Sequence, residues 1–168
     1  MSADAVPPLL VLAWGNPSRG DDALGPLLAE RVQAYAARHL PPGRVEVLTD
    51  FQLHIEHALD LCGRQRVLLA DAECGLAQPF AVRPLQPARG AALGSHALAP
   101  AALLQVCGDL YGQAPPTTLL GIRARQFQLG APPSAQALAD LASAWRWVRA
   151  WLRGTAPACP EPPTRVQA

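Results

Sequence analysis

Residues 9–25 read LLVLAWGNPSRGDDALG, and the fold turns on this stretch. Leu9, Leu10, Val11, Leu12 and Ala13 form a continuous apolar run with the length of one buried parallel strand, too short for a helix with caps. The strand is expected to end at Trp14. Gly15, Asn16, Pro17, Ser18, Arg19 and Gly20 then supply turn chemistry. From Asp21 onward, Ala23, Leu24, Leu27, Leu28 and Val32 recur at helical spacing. A strand, a loop and a helix start set two adjacent carboxylates, Asp21 and Asp22, just beyond the carboxyl end of a central strand, where open α/β sheets hold their ligands. One acid is accounted for as the helix N-cap. The second needs another explanation.

Working outward, the first helix is expected from Asp22 to about His39, ended by Pro41, Pro42 and Gly43, which cannot continue it. Residues 44–48 (RVEVL) alternate and read as a second strand, with Asp50 at its carboxyl end. Leu53, Ile55, Glu56, Ala58, Leu59 and Leu61 suggest a short helix that stops before Gly63, and it carries His54 and His57 as an exposed pair. Val67 to Ala70 make another buried strand, followed at once by Asp71. Residues 80–85 (FAVRPL) form an edge strand, because Pro84 cannot donate to a ladder. Ser95 and His96 lead into a helix bearing Leu98, Ala101, Leu103, Leu104 and Val106. Residues 117–122 (TTLLGI) are a further strand, with QFQLG as a short extension. Pro132, Pro133 and Ser134 open the last helix, which runs to near Gly154.

This alternation predicts an α/β three-layer sandwich: a mostly parallel central sheet of about five strands with helices on both faces. Residues 1–7 read as a flexible leader, 8–153 as a single domain, and 154–168 as a Pro-rich disordered tail.

Several function classes are disfavoured by composition. Fourteen basic against 13 acidic residues leave a net charge of +1, which provides no footprint for nucleic acid. No apolar run approaches the ~20 residues of a membrane span, and Asp4 stands where a secretory signal carries positive charge, so a soluble cytoplasmic protein is expected. The four cysteines, Cys62, Cys74, Cys107 and Cys159, form no CxxC pair. The glycine loop has neither GxGxxG spacing nor a terminal Gly-Lys-Ser/Thr, so no nucleotide cofactor is expected. No G-x-S-x-G elbow is present, and nothing marks Cys74 as an activated thiol. Arg123 and Arg125 follow the TTLLGI strand, where they either hold an anionic group or serve as surface charge.

Asp22, Asp71 and His96 all fall at the carboxyl end of the sheet and could converge. Two carboxylates and an imidazole suit an open site for zinc, nickel or a similar divalent ion, although caps and ion pairs also collect acids at such positions.

The residues now quoted carry a resemblance. The opening Gly15-Asn16, short loop, Asp21-Asp22 and Gly25, the VLLADAE strand ending in Asp71, and His96 before an apolar helix are together similar to the hydrogenase maturation endopeptidases. Those proteins remove a C-terminal extension from the large subunit of nickel-iron (NiFe) hydrogenases. The resemblance covers roughly residues 8–153. It implies that Asp22, Asp71 and His96 engage nickel already carried by the large-subunit precursor, and that a nickel-gated endopeptidase cleaves nearby. Asp21 is then the nearest candidate base and Asp50 the second. Many members have an Asp-Gly-Gly-Thr-like turn after the second strand; here Asp50-Phe51-Gln52-Leu53 stands instead, which looks like the branch serving cytoplasmic NAD-linked hydrogenases and makes Asp50, Phe51 and Gln52 the expected substrate contacts. The alternatives are a nickel-sensing chaperone that holds the precursor without hydrolysis, and a general metal-dependent hydrolase.

Overall fold

A computed structural model of the chain describes residues 5–89 and 98–157. Strand β1 (Leu9–Trp14) is followed by a 3-10 turn (Gly20–Ala23) and helix α1 (Leu24–His39). Then come β2 (Val45–Asp50), α2 (His57–Leu61), β3 (Arg66–Cys74) and β4 (Phe80–Leu85). Helix α3 (Pro100–Tyr111), β5 (Thr117–Ala124) and α4 (Ala135–Leu152) complete the order. One five-stranded sheet results, ordered β2-β1-β3-β5-β4. Among the described strands only β4 runs antiparallel, against β5.

Two apolar clusters explain why β1 and β3 are continuous apolar runs. Leu9, Val11 and Ala13 face α1 and α4 with Leu68, Leu120, Ile122, Leu141 and Val148. Leu10, Leu12 and Trp14 face α2 and α3 with Leu61, Leu69, Leu103 and Leu104. A strand covered on both faces needs no polar side. Pro84 sits on the outer strand, as its missing donor requires.

Four local expectations are corrected. The first helix does not begin at Asp22: a 3-10 turn over Gly20–Ala23 precedes α1, and neither Asp21 nor Asp22 is a side-chain N-cap. β2 begins at Val45 and runs on past residue 48 to Asp50, which stands at its carboxyl end as expected. Only His57–Leu61 of the expected second helix is helical. QFQLG forms no strand; β5 stops at Ala124, and the following backbone donates instead to a buried carboxylate described below. Ser134 does cap α4, its Oγ accepting the Ala137 N–H at 3.2 Å.

Register sets the functional side chains in a row. Trp14 pairs with Asp50 on β2, and Ala13 pairs with Ala70, so Asp71 stands one step beyond on β3. Asp50 and Asp71 are therefore two strands apart, roughly 10 Å at the usual inter-strand spacing, with Trp14 between them. Ser95 and His96 lie outside the described residues, as does Cys159. No described helix is long and apolar enough to cross a membrane.

Candidate functional site

The loop after β1 is built around close approaches. Gly15 has φ +143°, and a Cβ there would lie 2.0 Å from the Asp22 carbonyl oxygen, so only glycine lets the chain fold back on the strand end. Asn16 joins the two sides of the loop: its N–H donates to Asp22 Oδ2 at 2.8 Å, and its Oδ1 accepts from the Ser18 N–H at 2.9 Å. Gly25 brings the start of α1 against β1, since a Cβ there would meet the Trp14 carbonyl oxygen at 2.1 Å. Gly15, Asn16 and Gly25 thus set where Asp22 stands.

Asp21 serves the opposite side of the loop. Its side chain is fully buried. Oδ2 accepts backbone N–H groups from Arg125 (2.8 Å) and Gln126 (3.1 Å), and Oδ1 accepts from Ser134 (2.7 Å). Burial by itself would raise its pKa, but these backbone donors outweigh it and hold the carboxyl below its ordinary range. A carboxylate so committed has neither the access nor the basicity to take a proton from water. The expected role of Asp21 as base is therefore corrected to a structural one, tying the β1 loop to the β5–α4 connection.

Asp71 is the contrasting acid. Burial pushes its pKa up to about 7, and the neighbouring charges of Asp22 and Glu73 push in the same direction. The Ala72 N–H donates to Oδ1 at 2.8 Å, and with the Trp14 side chain it offsets part of that rise. Asp71 opens into a cleft of about 360 Å³ lined also by Trp14, Glu73, Arg83, Pro100 and Gly121. Among the described residues no three His, Cys, Asp or Glu side chains are grouped to hold a metal. Two of the three expected metal ligands, Asp22 and Asp71, thus lie close enough to interact, while the third, His96, falls outside the described residues. Leu98, two positions after it, lines the cleft.

Glu73 was not singled out in the sequence, although its position two residues after Asp71 puts it on the same face of β3. Arg83 clasps it from β4 through two guanidinium nitrogens, Nη1 at 3.0 Å from Oε1 and Nη2 at 2.5 Å from Oε2. The pair spans β5 over Gly121, where any Cβ would strike the Glu73 carboxylate.

Asp50 lies on the other side of Trp14. Its Oδ1 accepts the Phe51 N–H at 2.6 Å, and it lines a pocket of about 310 Å³ with Gly15, Pro17, Pro26, Thr49 and Phe51. Phe51 is 65% exposed, and Gln52 is exposed as well. His54 and His57 are not a pair facing solvent: the His57 side chain is only 12% exposed, and both Nε2 atoms face Asp50, at 3.8 and 3.4 Å. Arg123 is unavailable to an anion, because Nε and Nη2 grip Asp140 at 2.9 and 3.0 Å.

No protein-family model matches the sequence, and no curated protein does so. Solved structures do match. The hydrogenase maturating endopeptidase HybD of Escherichia coli superposes with a TM-score of 0.66 at 25% identity, over 88% of this chain and 93% of that one. HycI of Thermococcus kodakarensis, a NiFe hydrogenase maturation protease, gives 0.66 at 20% identity over 86% and 92%. The endopeptidase HycI of Escherichia coli gives 0.60 at 21% identity over 85% and 90%. The chain shares the α/β fold of these hydrogenase maturation endopeptidases along nearly its whole folded length.

Proposed function

We propose that this chain is a hydrogenase maturation endopeptidase that removes the C-terminal extension of a NiFe hydrogenase large-subunit precursor after nickel insertion. The observation that carries the reading is the Asp22–Asp71 pair at the carboxyl end of the sheet. Asp71 is held near pKa 7 by burial and by negative neighbours, so a cation would relieve an electrostatic cost already present in the protein. The fold shared with named maturation proteases supports a hydrogenase precursor as the substrate, and in this reading the cation arrives with it. Nickel is then part of the substrate, engaged by Asp22, Asp71 and, from the region outside the described residues, His96. Oxygen and nitrogen donors of this kind suit such an ion.

The segment after β2 supports a protein partner. Phe51, Ile55 and Leu59 are 65%, 56% and 63% exposed, three large apolar side chains within nine residues, and Phe51 lines the Asp50 pocket. In this reading Asp50, Phe51 and Gln52 contact the precursor and bias the enzyme toward a cytoplasmic NAD-linked hydrogenase. Hydrolysis needs water to add to the scissile carbonyl carbon as a base takes its proton, which then passes to the leaving amide nitrogen as the C–N bond breaks. Asp21 is sequestered, and Asp50 keeps a partly exposed carboxylate at the same end of the sheet. Asp50 is therefore assigned as the base.

The test is an intact-mass comparison of nickel-loaded and nickel-free precursor after incubation with the protein. Loss of a C-terminal fragment from the loaded form alone is expected. A stable complex with no mass change in either form would favour a non-hydrolytic nickel-sensing chaperone, and cleavage of unrelated peptides would favour a general metal-dependent hydrolase.

A further inference from the structure

The two histidines beside Asp50 have the composition of a small metal site, but the hydrogen bond at the His57 ring takes that ring out of such a set. His57 Nδ1 accepts the His54 backbone N–H at 2.9 Å. That lone pair is used, so the neutral ring carries its proton on Nε2. Nε2 has no lone pair to offer a metal, and a ligating imidazole would need the opposite tautomer, with Nδ1–H pointing at a second donor. Nε2 instead lies 3.4 Å from Asp50 Oδ2, an electrostatic contact rather than an aligned hydrogen bond.

We infer that His57 is a positioning residue for Asp50, holding its carboxylate toward the pocket beside Gly15; the inference rests on the functional reading above. The two Asp50 oxygens have different neighbours: Oδ1 accepts the Phe51 N–H, and Oδ2 has the His57 Nε2 3.4 Å away. Both oxygens keep lone pairs for substrate or water. The ring is a rigid strut. It is pinned at Nδ1 by the His54 N–H, enclosed to 12% exposure, and carried at the first position of α2, whose Ala58 and Leu61 are buried in the core below. Asp50 is itself 34% exposed, and on an unsupported strand end its carboxylate would sample several rotamers. His54, at 44% exposure and 3.8 Å, contributes its backbone N–H to the strut more than its ring.

The experiment compares His57→Leu, His57→Gln, Asp50→Asn and the double variant His57→Leu/Asp50→Asn on nickel-loaded precursor, with melting temperatures for each. Leucine keeps apolar bulk but has no donor. Glutamine can accept from the His54 N–H through its carbonyl and donate to Asp50 through its amide. His57→Leu is expected to lower kcat/KM about 10- to 100-fold, the scale of misplacing a reacting group, and His57→Gln is expected to recover most of the loss at a similar melting temperature. In the Asp50→Asn background, His57→Leu should cost little more, because the two residues act through one group. Imidazole nitrogen shifts should report the Nε2–H tautomer for His57. Independent, additive losses would overturn the inference, as would equal activity of the leucine and glutamine variants or an Nδ1–H tautomer. If the wild type leaves loaded precursor uncut, the functional reading fails first and the positioning role falls with it; a cleaving wild type with an unaffected His57→Leu variant refutes the positioning role alone.

Discussion

Asp21 and Asp22 are neighbours in the chain with opposite uses: Asp21 accepts three backbone N–H groups from residues more than 100 positions away, whereas among the described residues Asp22 accepts the local N–H of Asn16 and interacts with Asp71. The same conservative change should therefore separate stability from function. Asp21→Asn turns amide hydrogens toward backbone donors in a buried site and should cost about 2–4 kcal/mol. Asp22→Asn keeps an oxygen for Asn16, so its melting temperature should stay near that of the wild type while precursor processing is lost. The Asp21 pKa is depressed on folding, so its contribution is present above the ordinary carboxyl pKa and disappears as pH falls through the lower folded value. Acid unfolding should accordingly be steeper in the wild type than in Asp21→Asn. Full processing by Asp22→Asn would remove it from the metal-ligand set.

Asp71 carries the reverse sign. Its folded pKa is raised to about 7, so the folded state binds the proton more tightly and stability falls as pH rises from about 4 through 7. The full penalty, reached above pH 7, is on the order of 4 kcal/mol. Asp71→Asn resembles the protonated acid and escapes it. Melting curves of the two proteins should nearly coincide at pH 4 and separate at pH 8, with the inactive variant the more stable. Equal melting temperatures at pH 8 would show that the ionised carboxylate is not under strain.

Much of this site was legible in the primary structure, for identifiable reasons. β1 and β3 are buried on both faces, so their uninterrupted apolar runs end where the polar site begins, at Gly15 and at Asp71. Pro84 marked the outer strand through its missing donor. The role of Asp21 was not legible, because its partners Arg125, Gln126 and Ser134 become neighbours only through tertiary structure, and local spacing offered helix capping in its place. His57 was obscured in the same way. Its three-residue separation from His54 suggested a shared helix face, yet His54 lies before α2, and its backbone N–H, rather than its ring, is what binds His57.

Two glycines with equally short contacts should respond differently to alanine. At Gly25 the obstacle is the Trp14 backbone carbonyl, whose oxygen would stand 2.1 Å from an added methyl in the middle of the β1–α1 packing. Neither side can yield without moving an element, so Gly25→Ala should cost several kcal/mol, about 3 or more, as overpacked sites do. At Gly121 the obstacle is the carboxylate end of Glu73, at 1.9 Å. That side chain can swing away, breaking its clasp with Arg83 at the cost of a partly exposed ion pair worth about 1 kcal/mol or less. Chemical denaturation of both variants decides this; a Gly121→Ala variant as damaged as Gly25→Ala would mean that the Glu73–Arg83 bridge is a structural tie.

Free divalent nickel, used as a probe without precursor, should bind weakly and in a pH-dependent way. Asp22 and Asp71 must both be ionised to act as ligands, and near pH 6 the raised pKa of Asp71 keeps most of it protonated. Binding to the folded state alone adds RT ln(1 + [Ni]/Kd), about 2.7 kcal/mol at a hundredfold excess over Kd. The rise in melting temperature with added nickel should therefore grow from pH 6 to pH 8 and vanish in Asp71→Asn. His96→Ala should reduce it if that side chain joins the site. His54→Ala and His57→Leu should leave it intact, because the His57 tautomer excludes Nε2 ligation at Asp50. A nickel response that survives Asp71→Asn but not the loss of His54 would locate the ion beside β2 and displace the Asp22–Asp71 pair as the nickel-recognising element.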